Sequence, residues 1–151
     1  MLLLAVCFAA LAMAQDVVQN GSSAIKLSSN KMSYYSNENR SRLVGNVIVI
    51  NDNYTVTADT LDVMMNKNGG VRKLDGRGNV NLKTIDMLAM AARAEIDQAS
   101  KYIVLTGDVM VWQGDSFMEG SRAVFQYETH EFKMGQDNET VKINFKKAPK
   151  K

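Results

Sequence analysis

The 151-residue chain contains one cysteine, one histidine and one proline. A zinc centre draws on several Cys or His ligands and a disulfide on two thiols, so almost no material is left for a zinc site, a thiol nucleophile or a disulfide framework, and metal and triad chemistry of the usual kinds is nearly excluded at the outset. The proline is Pro149, so no earlier residue lacks the N–H that a strand ladder needs. Aromatic residues make up only 7%, and Lys+Arg (18) nearly balance Asp+Glu (16), which leaves no one-signed field to draw nucleic acid. What the chain does have is apolar content: 46% hydrophobic residues, too many for a disordered polymer and enough for one domain.

The one long uncharged apolar run is residues 1–14, MLLLAVCFAALAMA. It falls short of the roughly 20 residues that span a hydrocarbon core. It closes on Ala12-Met13-Ala14, the small-x-small pattern of a signal-peptidase site. The expected organisation is a signal peptide over 1–14, a flexible N-terminus over 15–23, one domain over 24–146 and a basic tail over 147–151. Cleavage after Ala14 removes Cys7, the only thiol. The protein is thus read as exported and independent of disulfides.

The mature chain reads as strand after strand. Ile103, Leu105, Val109 and Val111 alternate with more polar neighbours, as do Leu43, Val47 and Val49, which is the period of two of a pleated segment. Turn-forming clusters punctuate at short intervals, among them Asn51-Asp52-Asn53, Asn66-Lys67-Asn68-Gly69-Gly70 and Gln113-Gly114-Asp115. Residues 89–95 favour a helix on propensity alone, but a repeat overrides that preference. Gly45-Asn46-Val47, Gly78-Asn79-Val80 and Gly107-Asp108-Val109 open three copies of one unit. Thirteen residues after each glycine comes a small residue, Ala58, Ala91 or Gly120; Leu61, Ala94 and Ala123 follow three further on, then Val63, Ile96 and Phe125.

The alternation slips by one residue at the same place in every copy. Such a slip turns every later side chain over unless the strand bends there. The small residue therefore marks a corner that keeps the apolar face inward. Each unit is expected to be a long strand, a tight turn, a short strand, the corner and a further strand. A single unit cannot bury its own apolar face, but stacked copies can. The expected fold class is all-β, an open twisted β-jellyroll (a β-taco) of stacked antiparallel strand repeats.

The segments Leu43-Val44-Gly45-Asn46-Val47, residues 54–63 (YTVTADTLDV), Gly76-Arg77-Gly78-Asn79-Val80 and Leu105-Thr106-Gly107-Asp108-Val109 resemble, in this order, the repeating pattern of the OstA-like/LptA family. The resemblance spans about residues 24–135. It implies a twisted, open β-jellyroll in the periplasm whose apolar interior holds the acyl chains of lipopolysaccharide. It further implies partners: other OstA-like-domain proteins of a transport bridge, or further copies, joined edge to edge and head to tail.

Independently of that likeness, the alternation assigns an inward lining: Leu43, Val47, Val49, Val56, Leu61, Val63, Leu74, Val80, Leu82, Ala89, Ala91, Ile96, Ile103, Leu105, Val109, Val111, Met118 and Phe125. Few of these are large plugs, so the lining suits an apolar slot for a lipid chain, each buried methylene of which is worth about 0.8 kcal/mol. An ordinary sandwich core has the same alternation, and an exported interaction module that binds no lipid is the competing reading. Met87, Met90, Met110 and Met118 fall in strands, where thioethers fit irregular apolar shapes. Arg93 and Arg122 share one repeat position past the corner and are candidate phosphate contacts at the rim, the commoner alternative being solvated charges on the outside of the barrel.

Unpaired end strands are candidates for strand addition: Ile25, Leu27, Met32 and Tyr34 at the front, Val141, Ile143 and Phe145 at the back. No catalytic group stands out. His130 lies in a turn-like Glu128-Thr129-His130-Glu131 stretch, and corner carboxylates such as Asp59 and Asp62 commonly bond backbone amides. Gly69-Gly70 and Gly76-Arg77-Gly78 precede strands rather than helices, so neither reads as a phosphate-cradling loop. No enzyme, cofactor or metal is expected.

Overall fold

The structure, a computed structural model, describes residues 24–145. The expected leader, the segment 15–23 and the basic tail lie outside the described residues. Ten strands follow one another: β1 (Lys26–Ser28), β2 (Lys31–Tyr35), β3 (Arg40–Asn51), β4 (Tyr54–Met65), β5 (Val71–Lys83), β6 (Met87–Asp97), β7 (Tyr102–Gln113), β8 (Ser116–Gln126), β9 (Glu131–Met134) and β10 (Lys142–Phe145). All belong to one antiparallel sheet in the order β1-β3-β4-β5-β6-β7-β8-β10, with β2 also beside β3 and β9 also beside β8.

The turns are built by the residues that the sequence puts there. Asn66 Oδ1 accepts from the amides of Asn68 and Gly70 at 3.0 and 2.9 Å, and Asp97 Oδ1 from those of Ala99 and Ser100, both at 2.9 Å. Gln126 Oε1 does the same for Glu128 and Thr129. A short polar acceptor that bonds amides two to four residues on fixes a tight reversal without help from tertiary packing.

β3 to β8 each run 11 to 13 residues and all bend at one shared row. Two residues oppose one there: Gly45-Asn46 face Asp59, Gly78-Asn79 face Ala92, and Gly107-Asp108 face Ser121. Both members of each pair have positive φ, +79° and +44° at Gly78-Asn79, +81° and +48° at Gly107-Asp108. Asn and Asp tolerate that region best among residues with a Cβ. The glycine also has no room for one: a Cβ on Gly107 would stand 2.7 Å from Cβ of Ala92, and one on Gly78 would stand 2.6 Å from Oδ2 of Asp59. The expected corner is real, but the Gly-Asn/Asp dipeptides form it together with the slip past Ala58, Ala91 and Gly120. The unit is therefore two full-length strands that both cross the corner, not a long strand, a short strand and a third.

The corner row divides the sheet into two arms. The first holds β2, β9 and the parts of β3–β8 in register with them; the second holds β1, β10 and the remaining halves. The inward residues of both arms are buried, and among the described residues no other layer is present to cover them. The sheet covers itself. At the far ends the arms touch: the rings of Tyr54 (second arm) and Tyr127 (first arm) meet edge to face at 5.0 Å. Nε2 of Gln98, in the β6–β7 turn, donates to Oη of Tyr54 at 3.4 Å.

Candidate functional site

The interior is one continuous apolar face. Leu43, Val47, Val49, Val56, Leu61, Val63, Leu74, Val80, Leu82, Ala89, Ile96, Ile103, Leu105, Val109, Val111 and Phe125 are all buried, and Ala91 and Met118 pack against them half-buried. Cross-strand rows such as Val49–Val56–Leu82–Ala89–Val111–Met118 run through the second arm, and Leu43–Leu61 and Leu74–Ile96–Ile103–Phe125 through the first. Leu74, Val80, Leu82, Ala89, Ile103 and Val111 are 0% exposed, so no space large enough for a water lies against them. The slot expected from the small lining residues is closed in this conformation, because medium-sized aliphatics from the two arms fill the gap between them.

Three buried residues at the arm ends, Tyr54, Met87 and Tyr127, escaped the sequence-derived lining. Tyr54 shares parity with Val56 and Ala58, and Tyr127 with Ala123 and Phe125, so the signal was present in the alternation. Met90 and Met110, by contrast, face outward, opposite each other across β6 and β7. Burial pushes the phenols of Tyr54 and Tyr127 up, and Gln98 partly offsets this for Tyr54.

The interior is open to solvent along its two edges. At the front, Leu27 pairs with Val49, Met32 with Leu43 and Tyr34 with Ser41, so all three extend the inward face. They remain 37%, 67% and 57% exposed. At the back, Ile143 extends the face beside Met118 and is 50% exposed, whereas Phe132 and Met134 of β9 are half-buried. Ile25 packs half-buried before β1, Val141 lies half-buried before β10, and the backbone of Phe145 pairs with Ser116. Each edge consists of two short strands split at the corner, β1 and β2 at the front and β9 and β10 at the back.

Charge is confined to the outside, chiefly of the first arm. Asp62 accepts from Nε and Nη2 of Arg42 at 2.8 and 2.9 Å and from Nη1 of Arg40 at 3.0 Å. Asp75 takes the Arg93 fork, Nε at 2.8 Å and Nη2 at 3.0 Å, together with Nη2 of Arg77 at 2.9 Å. Burial works against the Asp75 charge, but the hydrogen bonds from Arg93 and Arg77 outweigh it and hold the carboxyl below its ordinary value. For Asp62 the Arg42 hydrogen bond dominates, with the same direction.

Arg93 therefore stands on the outer face, occupied by Asp75 and by Glu95, instead of at a rim around the interior. Arg122 also faces outward, where it lines a shallow hollow of about 380 Å³ with Lys73, Glu95, Tyr102 and Val124. It has no carboxylate at ion-pair distance among the described residues. Asp59 accepts from Nδ2 of Asn79 at 2.8 Å across the corner, and Asp62 is committed to its arginines. His130 is exposed in the β8–β9 turn, 6.2 Å from the Phe125 ring.

A self-covered antiparallel sheet with a greasy inside and two unpaired ends defines an open β-jellyroll. Residues 26–131 match the family described as LptA/(LptD N-terminal domain) LPS transport protein, and the chain belongs to that family. Among solved structures it is similar to LptH, the LptA homologous periplasmic component of the conserved lipopolysaccharide transport device from Pseudomonas aeruginosa. That likeness has a TM-score of 0.72 at 14% identity and covers 82% of this chain and 96% of that one. No curated protein sequence matches the chain.

Proposed function

We propose that this member of the lipopolysaccharide-transport family works in the periplasm, exported by the leader 1–14, and holds the acyl chains of lipopolysaccharide between its two arms. The observation that carries the reading is the uninterrupted inward apolar face, closed in the middle and exposed at both end strands. An acyl chain enters at an edge, beside Leu27 and Met32 or beside Ile143, and the arms part to admit it. Parting exposes both inner faces, but the chain covers them again. The net gain is then the chain's own burial, about 10 kcal/mol for about a dozen carbons before ordering costs. The groove residues are the inward set above. Arg122, not Arg93, is the guanidinium left to meet a lipid phosphate.

The two edges supply the bridge. β1 is antiparallel to β3 and β10 to β8, so the front edge of a second copy, or of a relative with this domain, can add to the back edge and continue the alternation. Two different edges joined in this way extend indefinitely, as a span between membranes requires.

The test clamps the arms. Because Cys7 is the only cysteine, the chain from Gln15 is thiol-free, and Tyr54→Cys with Tyr127→Cys introduces one pair across the closed ends. Joined by a cleavable thiol cross-linker, this variant should lose lipopolysaccharide capture and regain it on cleavage. Equal capture in the clamped and cleaved forms would contradict parting of the arms.

A further inference from the structure

The inward lining is apolar along both arms, and two phenols are added to it where the arm ends meet. Tyr54 opens β4 on the second arm, and Tyr127 follows β8 on the first. Both are buried, with their rings edge to face. Their hydroxyls differ. Oη of Tyr54 accepts from Nε2 of Gln98, the residue that follows β6. Oη of Tyr127 is out of reach of solvent and has no hydrogen-bond partner among the described residues.

A hydroxyl shut away from water and left unbonded weakens a fold, and a phenylalanine fills the same space without that loss. Folding therefore does not account for the oxygen, whereas a ligand that brings an acceptor does. Burial above all, with the nearby Tyr54, Glu128 and Asp97, raises the Tyr127 phenol above its ordinary value and keeps it a donor. Neither carboxylate is free to take its proton. Asp97 Oδ1 is occupied by the amides of Ala99 and Ser100, and Glu128 lies 4.0 Å from Nζ of Lys101. Their charge also disfavours an anionic acceptor, so the acceptor that fits Tyr127 is a neutral oxygen.

We infer that Tyr127 is a specificity residue whose hydroxyl donates to the carbonyl oxygen of the ester or amide that joins an acyl chain to its head. The strands β3 to β8 all cross the corner, so backbone closes the fold line. A chain held between the arms lays its tail toward that line and its polar head at the arm ends, where Tyr127 stands. The carbonyl is the first polar group inside the buried length of such a chain. An alkyl chain without it leaves the hydroxyl unbonded, and a free carboxylate meets Asp97 and Glu128. The inference rests on the proposed capture of acyl chains between the arms and adds which chains are preferred. The competing occupant is a single ordered water on Tyr127.

The test compares neutral lipids that differ only at the carbonyl. The chain from Gln15, which contains every described strand, is titrated with monolauroylglycerol, with its dodecyl ether analogue and with laurate, each in competition with fluorescent lipopolysaccharide. The wild type should bind the ester about tenfold more tightly than the ether or laurate. In Tyr127→Phe the ester should fall to the affinity of the ether, with the urea midpoint kept or raised. With the ester isotope-labelled at its carbonyl carbon, the wild type should show a hydrogen-bonded component of the infrared carbonyl band that Tyr127→Phe lacks. Equal affinity for ester and ether in the wild type would overturn the inference. So would an ester preference that survives in Tyr127→Phe, which would leave water as the partner of the hydroxyl. Capture of lipopolysaccharide without ester preference would remove this inference alone, whereas no capture of any of the four lipids would remove the transport reading with it.

Discussion

Substitution of Gly107 by Ala tests the corner quantitatively. At φ +81° the new residue takes a left-handed conformation that costs about 1–2 kcal/mol for any residue with a Cβ. Its Cβ also lands 2.7 Å from Cβ of Ala92, an atom held by the neighbouring backbone that cannot swing away. Overpacking of that kind adds about 1–3 kcal/mol. Gly69 supplies the control, with the same φ of +81° and nothing within 4 Å of an added Cβ, so Gly69→Ala measures the conformational part alone. Gly107→Ala should therefore lower the urea unfolding free energy by about 2–5 kcal/mol and Gly69→Ala by about 1–2 kcal/mol. In a double-mutant cycle, Ala92→Gly should recover most of the excess. Equal losses at Gly107 and Gly69, or no recovery with Ala92→Gly, would refute the close approach of strands along the corner row.

Further outcomes follow from the outer face, the arm ends and the edges. Asp75 has a carboxyl held below its ordinary value, so its contribution is complete above about pH 4 and is lost as pH falls through the lower folded value. Asp75→Asn should reduce stability by about 1–2 kcal/mol at neutral pH, kept small because Arg77 and Arg93 are partly solvated, and should flatten acid unfolding below pH about 4. Tyr127 Oη is buried without a partner among the described residues, so Tyr127→Phe should leave the unfolding free energy unchanged or raise it by about 1 kcal/mol. Ile143→Pro places a proline in the back edge strand β10 and should abolish concentration-dependent chain growth in sedimentation, with the monomer still folded. Undiminished growth would place the joint elsewhere.

The inward face was legible because a period of two needs no knowledge of partners: Val56, Leu82, Val111 and their companions face one way whatever strand lies beside them. The slip after Ala58, Ala91 and Gly120 was legible for the same reason. The part of Gly78-Asn79 and Gly107-Asp108 in the corner was not, because a two-against-one bulge is a relation between strands. It becomes visible only once Ala92 and Ser121 are in register. The partner of Arg93 was hidden for that reason too, since Asp75 lies on the adjacent strand. Whether the lining encloses a slot depends on the distance between the arms, and alternation carries no information about that distance.

Site-specific photo-cross-linking to lipopolysaccharide measures the use of the interior directly. With a photoreactive residue placed in turn at Val56, Ala89 and Met118, all inward, and at Thr57, Met90 and Glu119, their outward neighbours, adducts should form at the first three positions and not at the second three. Adducts only at the outward positions, or at none, would contradict an interior that holds the lipid.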